Sequence, residues 1–321
     1  MFSRIIGTGA YLPEKIVTND DLSRIMATSD EWIRERTGIE RRHIAADNQT
    51  TVDLAEFAAR RAIEAAGLQP KDIDLICFGT VTPDLVFPNP GVMLQGRLGC
   101  VGGPAFSLEA ACSSFLYALS VADKFVKSGE SKRALVVGAE TLSRITDFSD
   151  RSTAVLFADG AGAVVLAPSD TPGLISTRLH ADGSHHDLLH CTGGISAGYP
   201  EGANGRAVIR MAGREVFKIA VTLLGRVVDE ILAENGFQKS DVKWLVPHQA
   251  NIRIIQAVAK KLNLPMERVI VTVQDQGNTS AASVPMALDK GMRDGRIKQG
   301  DLILLEAIGG GFTWGAALVR V

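Results

Sequence analysis

Gly67-Leu68-Gln69-Pro70-Lys71-Asp72-Ile73-Asp74-Leu75-Ile76 returns 169 residues later as Gly236-Phe237-Gln238-Lys239-Ser240-Asp241-Val242-Lys243-Trp244-Leu245. Each copy reads as a helix end closed by glycine, then a turn, then an apolar strand. A second echo has a spacing of 166: Asp123-Lys124 with Asp289-Lys290, and Gly129 with Gly295. Carried back along the helix, that spacing sets Cys112-Ser113-Ser114 over Asn278-Thr279-Ser280. The first spacing sets Gly79 over His248. Two echoes at nearly equal spacing argue for a duplicated unit rather than chance. The join falls within Pro168-Ser169-Asp170-Thr171-Pro172-Gly173, dividing the chain into residues 1–172 and 173–321.

Outward from the repeat, apolar runs alternate with amphipathic stretches. Ile73–Phe78, Ala134–Val137, Ala163–Leu166, Trp244–Val246, Val269–Val273 and Leu302–Leu305 read as strands buried on both faces. Thr51–Ala66 and Val216–Asn235 read as helices between them. The alternation predicts an α/β fold. With 321 residues, 46% hydrophobic and 22% charged, the chain can bury a large core. Its formal net charge of -2 argues against a nucleic-acid partner. No stretch approaches the roughly 20 apolar residues of a membrane span, and the run after Met1-Phe2-Ser3-Arg4 is too short for a signal peptide. Four scattered cysteines, Cys77, Cys100, Cys112 and Cys191, form no C-x-x-C pair, which favours reduced thiols in the cytoplasm.

Chemistry concentrates at three places. In Ala110-Ala111-Cys112-Ser113-Ser114 a cysteine stands where a helix begins, and a helix N-terminus favours the thiolate. A free cysteine most often just fills a gap in the core, and Cys77 fits that description; Cys112 does not. His248, in Val246-Pro247-His248-Gln249-Ala250-Asn251, follows a strand end, where α/β sheets place functional groups. Taken alone it is a surface-turn histidine; the repeat brings it beside Asn278 of Gly277-Asn278-Thr279-Ser280. Gly309-Gly310-Gly311 follows a strand without the Gly-Lys-Ser/Thr of a phosphate loop. It is either a tight turn or a set of backbone N–H groups aimed at a thioester oxygen.

These motifs occur together and in order, with Phe312-Thr313-Trp314-Gly315 after the glycines, Thr28–Ile39 near the start, Asp159-Gly160-Ala161-Gly162-Ala163 and Met211-Ala212-Gly213-Arg214-Glu215-Val216-Phe217. The whole chain resembles the β-ketoacyl-acyl-carrier-protein synthase III family of condensing enzymes. The resemblance implies a thiolase-like fold, duplicated α/β halves in five αβαβα layers. It implies an acyltransferase of the cytoplasm that condenses a short acyl-CoA with malonyl-carrier protein, losing CO₂ and needing no metal or organic cofactor. Cys112 would take the acyl group. His248 and Asn278 would hold the malonyl thioester carbonyl, and the N–H groups of Cys112 and Gly310 an oxyanion. Thr28, Trp32, Arg36, Arg151, Gly213 and Arg214 would bind CoA, with Trp32 and Arg151 stacked on its adenine. Arg253, Lys260 and Lys261 would dock acyl carrier protein. Phe87 would cross a homodimer to floor the acyl pocket. No nucleic acid or membrane partner is implied.

Ser114, Arg214, Ile308 and Asn89-Pro90 depart from common members of that family and leave the primer open. A thiolase would need a second cysteine near the glycines, and none follows Cys191. A starter-unit synthase for polyketide or quinolone-type products, or a non-catalytic CoA- or carrier-binding paralogue, are the alternatives. His180, His185, His186, His190 and Cys191 cluster without a standard zinc spacing, so a flexible loop is the simpler expectation.

Overall fold

The two Gly…Asp stretches fold alike. Gly67 and Gly236 take φ of 69° and 70°. Each is followed by a 3₁₀ turn, Pro70–Asp72 or Lys239–Asp241. In both turns the closing aspartate accepts the backbone N–H three residues earlier, Gln69 at 2.8 Å and Gln238 at 2.7 Å.

The computed structural model describes residues 1–199 and 205–321. The chain begins β1 (Phe2–Tyr11), β2 (Lys15–Thr18), α1 (Asn19–Ser23), α2 (Asp30–Thr37), β3 (Arg41–Ile44) and α3 (Thr51–Ala65). It continues β4 (Leu75–Gly79), α4 (Pro90–Leu98), β5 (Ala105–Leu108), α5 (Ser114–Ser128), β6 (Ala134–Thr141), α6 (Arg151–Ala154) and β7 (Asp159–Ser169). Then come β8 (Leu174–Ala181), β9 (Leu189–Cys191), β10 (Ile209–Met211), α7 (Gly213–Glu234), β11 (Trp244–Pro247) and α8 (Ile252–Lys261). The last elements are α9 (Val273–Gln276), α10 (Ser283–Arg293), β12 (Leu302–Gly309) and β13 (Thr313–Arg320).

Nine strands hydrogen-bond in the order β11-β12-β13-β8-β1-β7-β6-β4-β5. The order is two arms of one pattern. In each, a parallel pair (β4 with β6, β11 with β12) is extended by antiparallel neighbours (β7 and β1, β13 and β8). The arms meet at a single register pair, Ser3↔Leu174.

Helices cover both faces of each arm, because the strands are apolar on both. Leu135, Val137, Ala163 and Val165 face α3 through Val52, Ala55, Ala59 and Ala62. Val136, Val164, Ile303 and Leu305 face the other way, onto Phe115, Leu119, Val284 and Leu288 of α5 and α10. Leu304 and Leu318 face Leu224, Val227, Val228 and Ile231 of α7. The layers are therefore α3, first arm, α5 with α10, second arm, α7: the αβαβα order. Each buried Leu or Val contributes about 1.5–3 kcal/mol.

Two expectations need correction. Val269–Val273 is not a strand: only Val269 pairs, with Leu245, and Val273 starts α9. The Oε1 of Gln249 takes the N–H groups of Thr272 (2.8 Å) and Val273 (3.0 Å) that a ladder would have used. The repeat, moreover, keeps one register of 169 up to the central helices. Ala111 and Ser280 share a left-handed φ of 48° and 49°, each opens a 3₁₀ turn, and α5 and α10 start at Ser114 and Ser283. Cys112 is thus matched to Ala281, not Asn278. The spacing of 166 arises downstream, because α10 is the shorter helix.

Candidate active site

Cys112 is buried in the 3₁₀ turn Ala111–Ser113, ahead of α5. Two hydroxyls close the turn: Ser114 Oγ receives the Ala110 N–H at 2.8 Å and donates to the Ala111 carbonyl at 2.7 Å. Thr313 Oγ1 holds the Ala110 carbonyl at 2.6 Å, and Ser113 Oγ donates to the Thr313 carbonyl at 3.0 Å, tying the turn to β13. Gly309 lies against it; a Cβ there would sit 2.6 Å from the Cys112 nitrogen and 2.8 Å from Ala111 Cβ. That strand end has to be glycine for the two backbones to meet.

Burial pushes the Cys112 thiol up to about 12; the Ser280 hydroxyl opposes this and the Glu140 charge adds to it. The lowered thiol expected of a helix start does not hold here. A helix terminus offers at most about 2 kcal/mol, and desolvation outweighs it.

His248 follows β11, its N–H held by the Glu306 carbonyl at 2.8 Å. Its Nδ1 lies 2.6 Å from Ser283 Oγ, which also accepts the Gln249 N–H at 3.3 Å. No other acceptor for the Ser283 proton stands among the described hydrogen bonds, so donation to Nδ1 satisfies it and leaves the ring hydrogen on Nε2. Burial holds the imidazole down to about 4, so it is neutral at pH 7. Asn278 is pinned by its N–H to Leu156 O and its carbonyl to the Ala158 N–H, both at 2.9 Å. Its Oδ1 accepts the Ser280 N–H at 2.9 Å, leaving Nδ2 as the donor end. His248, Asn278 and Cys112 line one cavity with Gly309 and Phe312. Two neutral donors and a thiol therefore face a common space.

Two further cavities adjoin that space, one on either side, through shared wall residues. A cavity of about 610 Å³ holds Trp32, Arg36, Gly213, Arg214 and Arg253, and shares Leu156, Met211, Phe217 and Asn251 with the His248 cavity. Beyond Cys112, a cavity of about 420 Å³ is lined by Val81, Leu142, Ile145, Phe157 and Ile209, with Gly310 at its edge. At the outer end Trp32 lies between two arginines, Arg151 at 4.5 Å and Arg36 at 4.8 Å from the ring centre. Arg151 also donates to the Ala27 carbonyl at 2.7 Å. Thr28 stands beside it with its hydroxyl unpartnered among the described residues.

The remaining sequence candidates lie apart. Phe87 is 84% exposed and lines none of these cavities in the single chain. Arg253, Lys260 and Lys261 are all exposed on α8. Arg253 and Lys260, seven residues apart, share a face, while Lys261 Nζ donates to Val221 O of α7 at 3.3 Å. The histidines are separately engaged. His180 bonds Glu230 at 2.7 Å and stacks on Trp314, while His186 and His190 bond their own loop carbonyls. Among the described residues no three metal-ligating side chains converge. Instead of a loose loop, the segment forms a 3₁₀ turn and β9, paired with β10, and its His186, Leu189, His190 and Cys191 wall the inner cavity. Sequence reasoning missed Ser283, Ser280 and Glu140; the only signal for Ser283 was a serine at a helix start.

Two family models match the chain, both for 3-oxoacyl-[acyl-carrier-protein (ACP)] synthase III, over residues 106–183 and, for the C-terminal part, 232–321. A β-ketoacyl-[acyl-carrier-protein] synthase III of Xanthomonas campestris pv. campestris is 62% identical, covering 100% of this chain and 98% of that protein. One from Methylococcus capsulatus is 58% identical over 99% of each. The crystal structure of 3-oxoacyl-[acyl-carrier-protein] synthase III from Aquifex aeolicus has a TM-score of 0.93 at 48% identity, covering 99% of this chain and 100% of its own. A priming β-ketosynthase of the R1128 polyketide pathway has a TM-score of 0.94 at 38% identity, covering 99% and 96%. Identity of this extent, carried over the full length and matched by the folded architecture, shows that the chain belongs to the 3-oxoacyl-[acyl-carrier-protein] synthase III family.

Proposed function

We propose that this enzyme condenses a short acyl-CoA, acetyl-CoA first, with malonyl-carrier protein to give a 3-oxoacyl-carrier protein, CO₂ and CoA, opening fatty-acid synthesis. The observation that carries it is the cavity in which Cys112 faces two neutral donors, His248 Nε2 and Asn278 Nδ2. Cys112 attacks the acyl-CoA thioester and becomes acylated. The malonyl thioester then enters the same cavity, and its carbonyl oxygen takes both donors. As CO₂ leaves, that oxygen gains the enolate charge, and the donors strengthen where the charge develops. The resulting carbanion attacks the acyl-Cys112 carbonyl. The N–H groups of Cys112 and Gly310 hold the oxyanion. The malonyl carboxylate supplies the driving force, so no metal or organic cofactor enters.

The adjoining cavities support the substrate reading. The Trp32–Arg151 pair would open to take the adenine, with Thr28 and Arg36 at the nucleotide and Gly213 and Arg214 along the pantetheine arm. Arg253 and Lys260, with Lys261 beside them, offer positive charge to an acidic carrier protein. Leu85, Val86 and Phe87 form an exposed apolar loop, 50%, 68% and 84% accessible, which suits a homodimer in which Phe87 enters the partner's acyl pocket. Among the described residues no helix is long and apolar enough to cross a membrane, in keeping with a cytoplasmic enzyme. A division into two halves, 1–172 and 173–321, is supported by the two arms of the sheet, joined at Ser3↔Leu174.

Mass spectrometry of Cys112 after exposure to a panel of acyl-CoAs tests this. Acetyl transfer to Cys112, lost in Cys112→Ala, is expected. His248→Ala and Asn278→Ala should acylate yet fail to release CO₂ from malonyl-carrier protein. Variants that release CO₂ but do not acylate would reverse the assignment. Exclusive loading of a long or branched primer would favour the starter-unit reading, to which the 38%-identical priming ketosynthase lends support.

A further inference from the structure

Arg42 is a buried cation to which the reaction above gives no task. It lies on β3 and is 1% exposed. Its guanidinium donates to three neutral oxygens: Asn19 Oδ1 at 2.8 Å, the Val155 carbonyl at 3.0 Å and the Val17 carbonyl at 3.3 Å. Its Nε has no partner among the described residues. Burial lowers it to about 10, so it stays charged at neutral pH. Asn19, also buried, passes the contact on: its Nδ2 donates to Asp30 Oδ1 at 2.8 Å and to the Ile39 carbonyl at 2.7 Å. Removing a cation from water is costly, and an apolar chain of similar length would fill the space at less cost. The reason for the charge lies in what it holds.

Val155 opens the stretch that pins Asn278. One residue on, the Leu156 carbonyl accepts the Asn278 N–H, and the Ala158 N–H donates to the Asn278 carbonyl, both at 2.9 Å. From the other side, Gly277 lies against Arg42 itself. A Cβ on Gly277 would sit 3.2 Å from Arg42 Cβ and 3.3 Å from the Leu156 oxygen. β3 is also fastened to α9, which leads into Gly277. The Glu40 N–H donates to the Gln274 carbonyl at 2.8 Å, and Arg41 Nε pairs with Asp275 at 3.1 Å. Both backbone segments that fix Asn278 therefore rest on β3, and Arg42 touches both. Among the described residues no other charged side chain bonds the stretch from Val155 to Ala158 or Gly277. The Cys112 turn, by contrast, is tied by Ser113, Ser114 and Thr313, none of them on β3.

We propose that Arg42 is a positioning residue for Asn278, holding the Val155 carbonyl and the backbone before Asn278 so that Nδ2 meets the malonyl thioester oxygen. The proposal rests on the reading of Asn278 as a donor to that oxygen. Without the guanidinium, the Val155 carbonyl and Asn19 Oδ1 lose their donor in the interior. The stretch from Val155 to Ala158 then shifts toward other donors and carries Asn278 with it. A displacement of about 1 Å costs on the order of 100-fold where a donor has to meet developing charge. That charge appears only as CO₂ leaves, so the loss falls on decarboxylation and spares acylation. Asp30 opens α2, the helix of Trp32 and Arg36, so the same guanidinium also sets the donor relative to the outer cavity.

The test measures labelled CO₂ released from malonyl-carrier protein, and acetyl transfer to Cys112 by intact-protein mass after rapid quench. Arg42→Met should lower CO₂ release by about 100-fold and acetyl transfer by less than about 3-fold. Arg42→Lys, whose ammonium still meets one of the two oxygens, should recover about 10-fold of that loss. Added to Asn278→Ala, Arg42→Met should cost no more than about 3-fold further, because the donor it positions is gone. Should the Met variant not fold, Arg42→Lys carries the same comparisons with a loss of about 10-fold. Native CO₂ release by the Arg42 variants overturns the proposal. Equal losses in both half-reactions, or the full loss repeated on top of Asn278→Ala, also overturn it and are what a general structural role produces. Native CO₂ release by Asn278→Ala alone overturns the reading of Asn278, and the proposal with it.

Discussion

Glu306 offers a sharp test of how burial acts in this fold. It lies in the middle of β12, 1% exposed, and both of its carboxylate oxygens lack partners among the described residues. Burial raises it from 4.5 to about 8. The sign follows directly: the folded protein keeps a proton that the unfolded chain releases, so its stability is full below pH 4.5 and is lost as pH rises toward 8. From pH 4.5 to 7 the loss is about 3 kcal/mol, at roughly 1.4 kcal/mol per pH unit. Glu306→Gln keeps the shape and removes the titration. Urea unfolding of both proteins at pH 5, 6, 7 and 8 should show the variant gaining on the native protein by roughly 1.4 kcal/mol per pH unit between pH 5 and 7. His248 acts in the opposite sense, lost as pH falls from 6.5 toward 4, and cancels in the comparison. Parallel pH dependences in the two proteins would refute the reasoning, since the carboxyl would then be solvated or paired.

Two further substitutions probe the site. Gly309→Ala should destabilise by about 1–3 kcal/mol, because its Cβ has no room beside the Cys112 turn. It should also slow Cys112 acylation by about 100-fold, seen by intact-protein mass, through displacement of the thiol; normal acylation would mean that the close approach is not needed. Ser283→Ala should cut CO₂ release by about 10- to 100-fold, since His248 loses the partner that keeps hydrogen on Nε2. Acylation should change little, and Ser283→Thr should recover part of the loss; equal loss of both half-reactions would assign Ser283 a general structural role.

What the sequence showed and what it hid divide along physical lines. Cys112, His248 and Asn278 were legible because each stands at an element boundary, where punctuation residues and periodicity change together. Five strands, β4, β6, β7, β11 and β12, were legible as unbroken apolar runs, since helices cover both of their faces; β1, β8 and β13 of the same sheet were not read. Val269–Val273 failed for a non-local reason: the side chain of Gln249, more than twenty residues away, takes its backbone donors. Glu140 was hidden too. It lies beyond Ala134–Val137, the run that reads as a strand, and nothing local reveals that Thr80 and Thr82 satisfy the carboxyl in the interior. The left-handed φ of Ala111 and Ser280 was equally invisible, because neither residue type favours it.

The corrected register explains how a duplicated unit yields one asymmetric site. Along the spacing of 169, Ala111 matches Ser280, Cys112 matches Ala281, Ser114 matches Ser283 and Gly79 matches His248. The backbone device is the same in both halves: a left-handed residue, a 3₁₀ turn and a central helix beginning with serine. Its uses differ. In the first half the serine closes the turn on itself, through Ala110 and Ala111, and the turn exposes a thiol to the cavity. In the second half no thiol is present, and the matching serine turns to His248, a residue whose counterpart Gly79 has no side chain to receive it. The left-handed position likewise carries a bare methyl in one half and, in the other, a serine that lines the same cavity as Cys112. One turn thus supplies the sulfur, and its copy supplies the hydroxyl that meets His248.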